Sequence, residues 1–147
     1  MINTNGLVVC INHNNEKIKE IKKFIKKNHK NLLDNKNIIL VNDDGEKGFI
    51  KYALYDAIYV GFPVDTIPKN LIDQLANGGG MLIPLKKKNN NYIMMLVDKN
   101  ENGTTNYLKL NDFIQDDFDC NNLKINIKWI IKKINSFIII ILIFLYN

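Results

Sequence analysis

The chain has 147 residues, a formal net charge of +5 and a hydrophobic fraction of 46%. This is enough for one globular core and too little for two domains of ordinary size. Every basic residue that carries the charge is a lysine. Arginine, which supplies bidentate contacts to phosphates and base edges, does not occur, and we therefore expect no nucleic-acid binding.

The two cysteines, Cys10 and Cys120, lie far apart and form neither a Cys-x-x-Cys pair nor the two paired Cys and His motifs of a zinc site. This pattern argues against a zinc site and against a disulfide framework. The first residues contain neither a charged leader nor an apolar signal region. We therefore expect a protein without a bound metal in a reducing compartment, the cytoplasm.

Short apolar runs alternate with segments of helical period, which is typical of an α/β sheet built from parallel strands. The predicted strands are Leu7–Ile11, Ile38–Val41, 55–61 and 81–85. Ligands of such sheets bind beyond the carboxyl ends of the strands. We therefore expect the functional residues directly after each run.

Two helices are predicted between these strands. The first begins after a cap at Asn14 or Asn15 and turns one face inward, formed by Ile18, Ile21, Phe24 and Ile25. The second follows Pro68, presents Leu71, Ile72 and Leu75, and ends at the Asn-Gly-Gly-Gly run 77–80. Pro84 indicates that the strand 81–85 is ending there.

The last third of the chain contains a predicted hairpin and an apolar tail. Segments 92–98 and 105–110 flank an Asn-Gly pair at Asn102 and Gly103, which predicts two antiparallel strands. Residues 137–146 are ten consecutive apolar residues; as a helix they would extend about 15 Å, half the roughly 30 Å of a bilayer core. Three interpretations stay open: an interfacial anchor, a packed terminal element, and an artefact of the coding region.

The central segment resembles the protein-L-isoaspartate O-methyltransferase family. The similar residues are the run YDAIYVG at 55–61, then Pro68, the run LIDQL at 71–75, Gly78, Gly79 and the run LIP at 82–84. Val9 to His13, Asp44, Gly45, Gly48 and Phe49 are similar to the same family more loosely. The resemblance covers roughly residues 6–110.

The resemblance implies a Rossmann-like methyltransferase sheet, mostly parallel, with a C-terminal antiparallel hairpin. It implies S-adenosyl-L-methionine as cofactor and isoaspartyl-containing proteins or peptides as substrates, in a protein-repair reaction that methylates the isoaspartyl carboxylate. We expect a monomer. Two alternatives are a methyltransferase for another substrate, and a non-catalytic remnant that binds a partner or a membrane surface through the lysine-rich helix and the apolar tail.

The resemblance also implies where the cofactor binds. Asn12 and His13 would meet the adenosyl ribose, and Asp43, Asp44 and Gly45 would meet the adenine; the family has an acidic residue where this chain has Asn12. From the residues alone, an Asx turn that only closes a loop is the alternative for the aspartates, and His13 is equally typical of a strand-end surface histidine. No catalytic residue is predicted.

In the family, one further strand and its Gly-rich loop precede the strand matched by Leu7–Ile11 and lie beside it in the sheet. We therefore expect the chain to be N-terminally incomplete and inactive by itself. We expect residues 1–110 to form a partial methyltransferase domain and residues 111–147 a divergent C-terminal segment. The missing strand would leave two unpaired apolar edges, or force a direct pairing of the strands on either side.

Overall fold

The computed structural model describes residues 6–88, 91–114 and 138–142. Seven strands occur in this part of the chain: β1 Leu7–Ile11, β2 Ile38–Val41, β3 Tyr55–Val60, β4 Leu75–Lys86, β5 Asn91–Lys99, β6 Thr105–Ile114 and β7 Ile138–Leu142. The helices are α1 Asn15–Asn28, α2 Lys30–Asp34 and α3 Lys69–Asp73, with single 3-10 turns at Gly45–Lys47 and Ile50–Tyr52. The predicted α/β class is confirmed.

The strands form one sheet with the order β2-β1-β7-β3-β4-β5-β6. The five strands from β2 to β4 are parallel, while β5 and β6 add an antiparallel hairpin at one side. Parallel strands need cover on both faces, which explains their continuous apolar runs. The buried core is formed by Val9, Ile11, Tyr55, Ile58, Val60, Val64, Leu71, Leu75, Met81, Ile83 and Val97.

The centre of the sheet differs from the expectation of unpaired edges or direct pairing. β7 lies between β1 and β3 and pairs in parallel with both, so that Ile140 is opposite Val9 on one side and Ile58 on the other. Five consecutive apolar residues suit a strand covered on both faces. Of the three interpretations of the tail, the packed element therefore describes Ile138–Leu142, while residues 137 and 143–146 lie outside the described part.

Helix α1 begins as predicted, with Asn14 as its cap. The Asn14 Oδ1 atom accepts hydrogen bonds from the backbone N–H of Glu16 at 2.9 Å and Lys17 at 3.3 Å. Ile25 is buried, but Phe24 is 63% exposed, so its assignment to the inward face was wrong. No helix in residues 6–88 and 91–114 is long and apolar enough to cross a membrane.

The prediction for the segment after Pro68 was correct for the helix and wrong for its end. α3 stops at Asp73, and Leu75 already belongs to β4, which continues through the glycine run. Gln74 ends the helix because its carbonyl oxygen accepts the Tyr55 N–H at 2.8 Å, which starts the β3–β4 pairing. A register shift follows, and Gly78 supplies the positive φ of 77° within it.

Pro84 does not end its strand. It lies inside β4 opposite Met94 of β5, and its carbonyl oxygen accepts the N–H of Val64 at 3.0 Å. The hairpin is confirmed: β5 and β6 pair along their length, and Gly103 in the turn adopts a φ of 83°.

Candidate functional site

The loops after β1 and β2 are joined at the carboxyl edge of the sheet. The two strands are parallel neighbours, so their following residues meet at the same edge. The Nδ2 atom of Asn42 donates to the carbonyl oxygens of Asn12 and His13, both at 2.9 Å. Asn42, which directly precedes Asp43, therefore links the residues predicted for the ribose to the loop predicted for the adenine.

Asn12 is 2% exposed and has a structural task at this edge. Its N–H donates to the Val41 carbonyl at 3.0 Å, which extends the β1–β2 pairing by one residue. Its Oδ1 atom accepts the Asn14 N–H at 2.7 Å, forming the Asx turn that leads into α1. His13, by contrast, is exposed. The two residues are adjacent in sequence but differ fully in access to a ligand.

Asp43 and Asp44 are exposed, and each closes a local turn through one oxygen. The Asp43 Oδ1 atom accepts the Asp44 N–H at 2.7 Å and lies 3.8 Å from Lys47 Nζ. The Asp44 Oδ1 atom accepts the Glu46 N–H at 3.0 Å and caps the 3-10 turn that starts at the buried Gly45. A carboxylate has two oxygens and about four acceptor positions, so turn formation leaves each side chain able to accept a ligand hydrogen bond.

The buried side chain of Gln74 holds the backbone that follows the 3-10 turn of this loop, a role that was not predicted from the sequence. It is 4% exposed; its Nε2 atom donates to the Lys47 carbonyl at 2.7 Å, and its Oε1 atom accepts the Phe49 N–H at 2.8 Å. A buried amide satisfied at both ends fixes the backbone it contacts. No local pattern in the sequence marks Gln74 for this role, because its partners Lys47 and Phe49 are distant in the chain.

Tyr55 anchors the same loop at its far end. The hydroxyl donates to the Phe49 carbonyl, and the side chain is fully buried. Burial, with a smaller contribution from nearby Tyr52, raises the pKa of Tyr55 to about 12. Tyr55 therefore stays protonated at neutral pH and acts as a hydrogen-bond donor within the core.

The loop after β3 forms the other side of the carboxyl edge. Val64 bridges to β4: its N–H donates to the Pro84 carbonyl at 3.0 Å, and its carbonyl oxygen accepts the Lys86 N–H at 2.9 Å. Asp65, exposed, pairs with Lys86 Nζ at 3.3 Å. Within residues 6–88, 91–114 and 138–142, no three His, Cys, Asp or Glu side chains lie together as metal ligands would.

Comparison with known proteins identifies a family. The family model described as Protein-L-isoaspartate(D-aspartate) O-methyltransferase matches residues 1–114. A protein-L-isoaspartate O-methyltransferase of Caenorhabditis elegans is 40% identical over 99 residues, which cover 67% of this chain and 44% of that protein. Protein-L-isoaspartate O-methyltransferase 2 of Arabidopsis thaliana is 38% identical over 105 residues, covering 71% and 33% respectively.

Solved structures give the same result for the fold. A putative protein-L-isoaspartate O-methyltransferase from Plasmodium falciparum, crystallised with S-adenosyl-L-homocysteine, matches with a TM-score of 0.65 and 22% identity, over 73% of this chain and 50% of that one. A second structure of a protein-L-isoaspartate O-methyltransferase matches with a TM-score of 0.60 and 28% identity, over 76% and 34%. The chain thus spans half or less of these relatives. The comparisons give no support to a non-catalytic remnant.

Proposed function

This chain belongs to the protein-L-isoaspartate(D-aspartate) O-methyltransferase family, and we propose that it binds S-adenosyl-L-methionine and serves in methylating isoaspartyl residues of proteins. It matches 44% of the nematode relative's length, so it corresponds to a part of such an enzyme. The described residues include the carboxyl edge of the parallel strands. We therefore propose a function mainly for the cofactor site at that edge.

The joined loops after β1 and β2 carry this proposal. Asn42 holds Asn12 and His13 beside the loop of Asp43, Asp44 and Gly45. The aspartates are exposed acceptors at the carboxyl edge of a parallel sheet, where such sheets bind ligands. Hydroxyl and amino groups of an adenosyl moiety are donors that match them in chemistry. The residues present fit the cofactor.

When bound, S-adenosyl-L-methionine supplies an activated methyl group. The acceptor carboxylate of isoaspartate is nucleophilic without further activation, so the protein's task is to hold the two reactants in line. In this chain Asp43 and Asp44 would orient the adenosyl end, and Gln74 and Tyr55 would keep their loop in place. We assign no residue of the chain to the transfer step itself.

We further propose a monomer that is located in the cytoplasm and binds no nucleic acid. The buried thiol of Cys10 suits a reducing compartment, and the chain has no arginine for phosphate or base recognition. Membrane contact through Ile138–Leu142 is no longer proposed, because these residues pair inside the sheet.

Cofactor binding is tested by calorimetry of the full chain with S-adenosyl-L-homocysteine. The paired variant Asp43→Asn with Asp44→Asn keeps the Oδ1 acceptors of the turn but removes both charges. We expect binding to weaken at least about tenfold, equal to about 1.4 kcal/mol. Asp34→Asn is the matched control, since this exposed aspartate ends α2 at the opposite edge of the sheet. Equal binding by all three proteins would exclude the assigned residues.

Substrate class is tested separately by transfer of a labelled methyl group. The acceptors are an isoaspartyl peptide and the same peptide with ordinary aspartate. Transfer to the first alone supports the proposal, while transfer to small acceptors lacking isoaspartate supports a methyltransferase for another substrate. Cofactor binding with no transfer to any acceptor would restrict this chain to the binding function.

A further inference from the structure

The turn that joins β4 to β5 carries three consecutive lysines at the carboxyl edge of the sheet. β4 ends at Lys86, which is paired with Tyr92 of β5, and Lys86, Lys87 and Lys88 are all exposed. β3 and β4 are parallel neighbours, so these lysines lie at the same edge as the loop that follows β3. The candidate cofactor site also lies at this edge, and the proposed function gives the lysines no role.

Backbone hydrogen bonds fix the position of this turn. The Lys86 N–H donates to the Val64 carbonyl at 2.9 Å, and the Lys87 N–H donates to the Asn91 carbonyl at 2.7 Å. Val64 is 2% exposed and forms a parallel bridge with Leu85. The charged side chains therefore start from backbone that is held by the loop after β3 on one side and by β5 on the other.

Positive charge is in excess around the turn. Segments 61–68 and 84–93 together contain three lysines and a single acidic residue, Asp65. The Asp65 Oδ1 atom lies 3.3 Å from Lys86 Nζ, and both side chains are exposed. An exposed ion pair of this kind contributes little energy. A formal excess of two positive charges therefore faces solvent at this end of the carboxyl edge.

The opposite end of the same edge is acidic. Segment 42–47, which follows β2, contains Asp43, Asp44 and Glu46 and only one lysine. β2 and β4 are the outermost of the five parallel strands, and four spacings of about 4.8 Å separate them by roughly 19 Å. This distance is more than twice the screening length of about 8 Å at physiological salt. The two charged regions therefore act on different parts of a ligand.

We propose that Lys86, Lys87 and Lys88 select substrates whose isoaspartyl residue has acidic neighbours in sequence. This inference rests on the proposed function, because it assigns a preference among the substrates of that reaction. The acceptor is itself a carboxylate, and adjacent Asp or Glu residues add negative charge that the ammonium groups attract. An extended peptide advances about 3.3 Å per residue, so neighbours within two residues of the acceptor lie inside the screening length of about 8 Å.

Peptide binding to the full chain tests this preference without requiring methyl transfer. Three fluorescein-labelled isoaspartyl peptides are compared by fluorescence anisotropy at low salt, with two glutamates, two serines or two lysines on each side of the isoaspartate. We expect the glutamate peptide to bind at least about fivefold more tightly than the lysine peptide, with the serine peptide between them. Added salt should reduce the difference, because exposed charges are screened.

Two double variants show which lysines cause the preference. Lys87→Gln with Lys88→Gln removes two charges from the turn and keeps Lys86, and it should lose most of the preference for the glutamate peptide. Lys26→Gln with Lys27→Gln is the matched control, because these exposed lysines lie in the last turn of α1, toward the opposite edge of the sheet. An equal loss in both would show attraction by the overall charge of +5 and would overturn the proposal.

Asp65→Asn has the opposite expected result. It removes the acidic partner of Lys86, so the glutamate peptide should bind about two- to threefold more tightly than it binds to the native chain. A turn with only a structural role would not give tighter binding when an ion pair is removed. Unchanged or weaker binding by this variant would overturn the proposal.

Failure of this proposal and failure of the proposed function give different results. Equal binding of the three peptides, or no binding of any of them, by a chain that binds S-adenosyl-L-homocysteine would overturn the charge preference alone. Preference for the glutamate peptide by a chain that does not bind S-adenosyl-L-homocysteine would support the charge preference and overturn the proposed function.

Discussion

The side chain of Gln74 brackets the backbone at Gly48. It bonds to the Lys47 carbonyl before the glycine and to the Phe49 N–H after it. Gly48 has a φ of 65° and a ψ of −154°, and a Cβ atom built there would lie 2.4 Å from Gln74 Oε1. The glycine and the glutamine therefore require each other, and together they set the path of the loop that carries the candidate adenine residues.

Replacing Gln74 should destabilise the protein and loosen this loop. Gln74→Ala leaves two backbone groups without their partner, at a cost of roughly 1–3 kcal/mol for each buried group. The free energy of unfolding from urea titration measures the loss. Asn77→Ala is the control, because its single bond to the Glu101 carbonyl is exposed. Equal costs for the two variants would contradict a bracing role for Gln74.

A methyl group at Gly48 should be far more damaging than one at Gly103. Both glycines have positive φ, but the space at Gly103 is open, with the nearest atom, Asn77 Oδ1, at 3.8 Å. Gly103→Ala should cost about 1 kcal/mol of backbone strain, whereas Gly48→Ala adds the collision with Gln74. Urea titration again gives the comparison. The double variant Gly48→Ala with Gln74→Ala should show coupling, because the two residues contact each other; strict additivity would contradict the contact.

Tyr55 should make the fold sensitive to alkaline pH. Its pKa is raised from 10.0 to about 12 in the folded protein, so the folded state favours the protonated hydroxyl. The stabilisation is complete below pH 10 and is lost as the pH rises to about 12. Two pKa units correspond to a few kcal/mol at most.

Comparison with the variant Tyr55→Phe separates the titration of Tyr55 from that of the other tyrosines and the lysines. It should be less stable than the native chain at pH 7, since the Phe49 carbonyl loses its donor. The difference between the two proteins should shrink between pH 10 and pH 12 in urea titrations. A constant difference across that range would argue that Tyr55 does not titrate with the fold.

Asn12→Asp should destabilise the protein. Aspartate keeps the oxygen that accepts the Asn14 N–H, but its charge would lie at a position that is only 2% exposed, where an ionised carboxylate loses its hydration. We expect the free energy of unfolding from urea titration to fall by at least about 1 kcal/mol. Unchanged stability together with tighter binding of S-adenosyl-L-homocysteine in calorimetry would contradict this and would show that the side chain at this position reaches the ligand.

Much of the local structure was readable from the sequence. The apolar runs gave β1, β2 and β3 within a residue, Asn14 was among the predicted caps, and the Asn-Gly pair located the hairpin turn. These features depend on neighbours in the chain, through side-chain period and turn geometry. The end of α3 was predicted wrongly because it depends on a residue that is distant in the chain. Leu75 fits a helical face, but its pairing with Tyr55 places it in a strand.

The candidate site also contains residues that were predictable from the sequence and one that was not. Its aspartates follow a strand and precede a glycine, so they were visible as a pattern. Gln74 was not, because its partners Lys47 and Phe49 lie far from it in sequence and meet it only when α3 packs under the loop. Whether the proposed residues bind the cofactor stays a prediction.

Local properties of the chain were enough to predict an α/β fold from the period of the apolar residues, and a resemblance to the isoaspartyl methyltransferases from the run at 55–61 and the residues that follow it. What lies beside that run depends on long-range pairing: the sequence predicted two unpaired edges or a direct pairing of the strands on either side, whereas the structure has β7 there. An uninterrupted apolar segment has the same pattern in a buried strand, a packed helix or an anchor. Pairing decides for the strand: the backbone groups of β1 and β3 need hydrogen-bond partners on the sides that face each other, and Ile138–Leu142 supplies those partners.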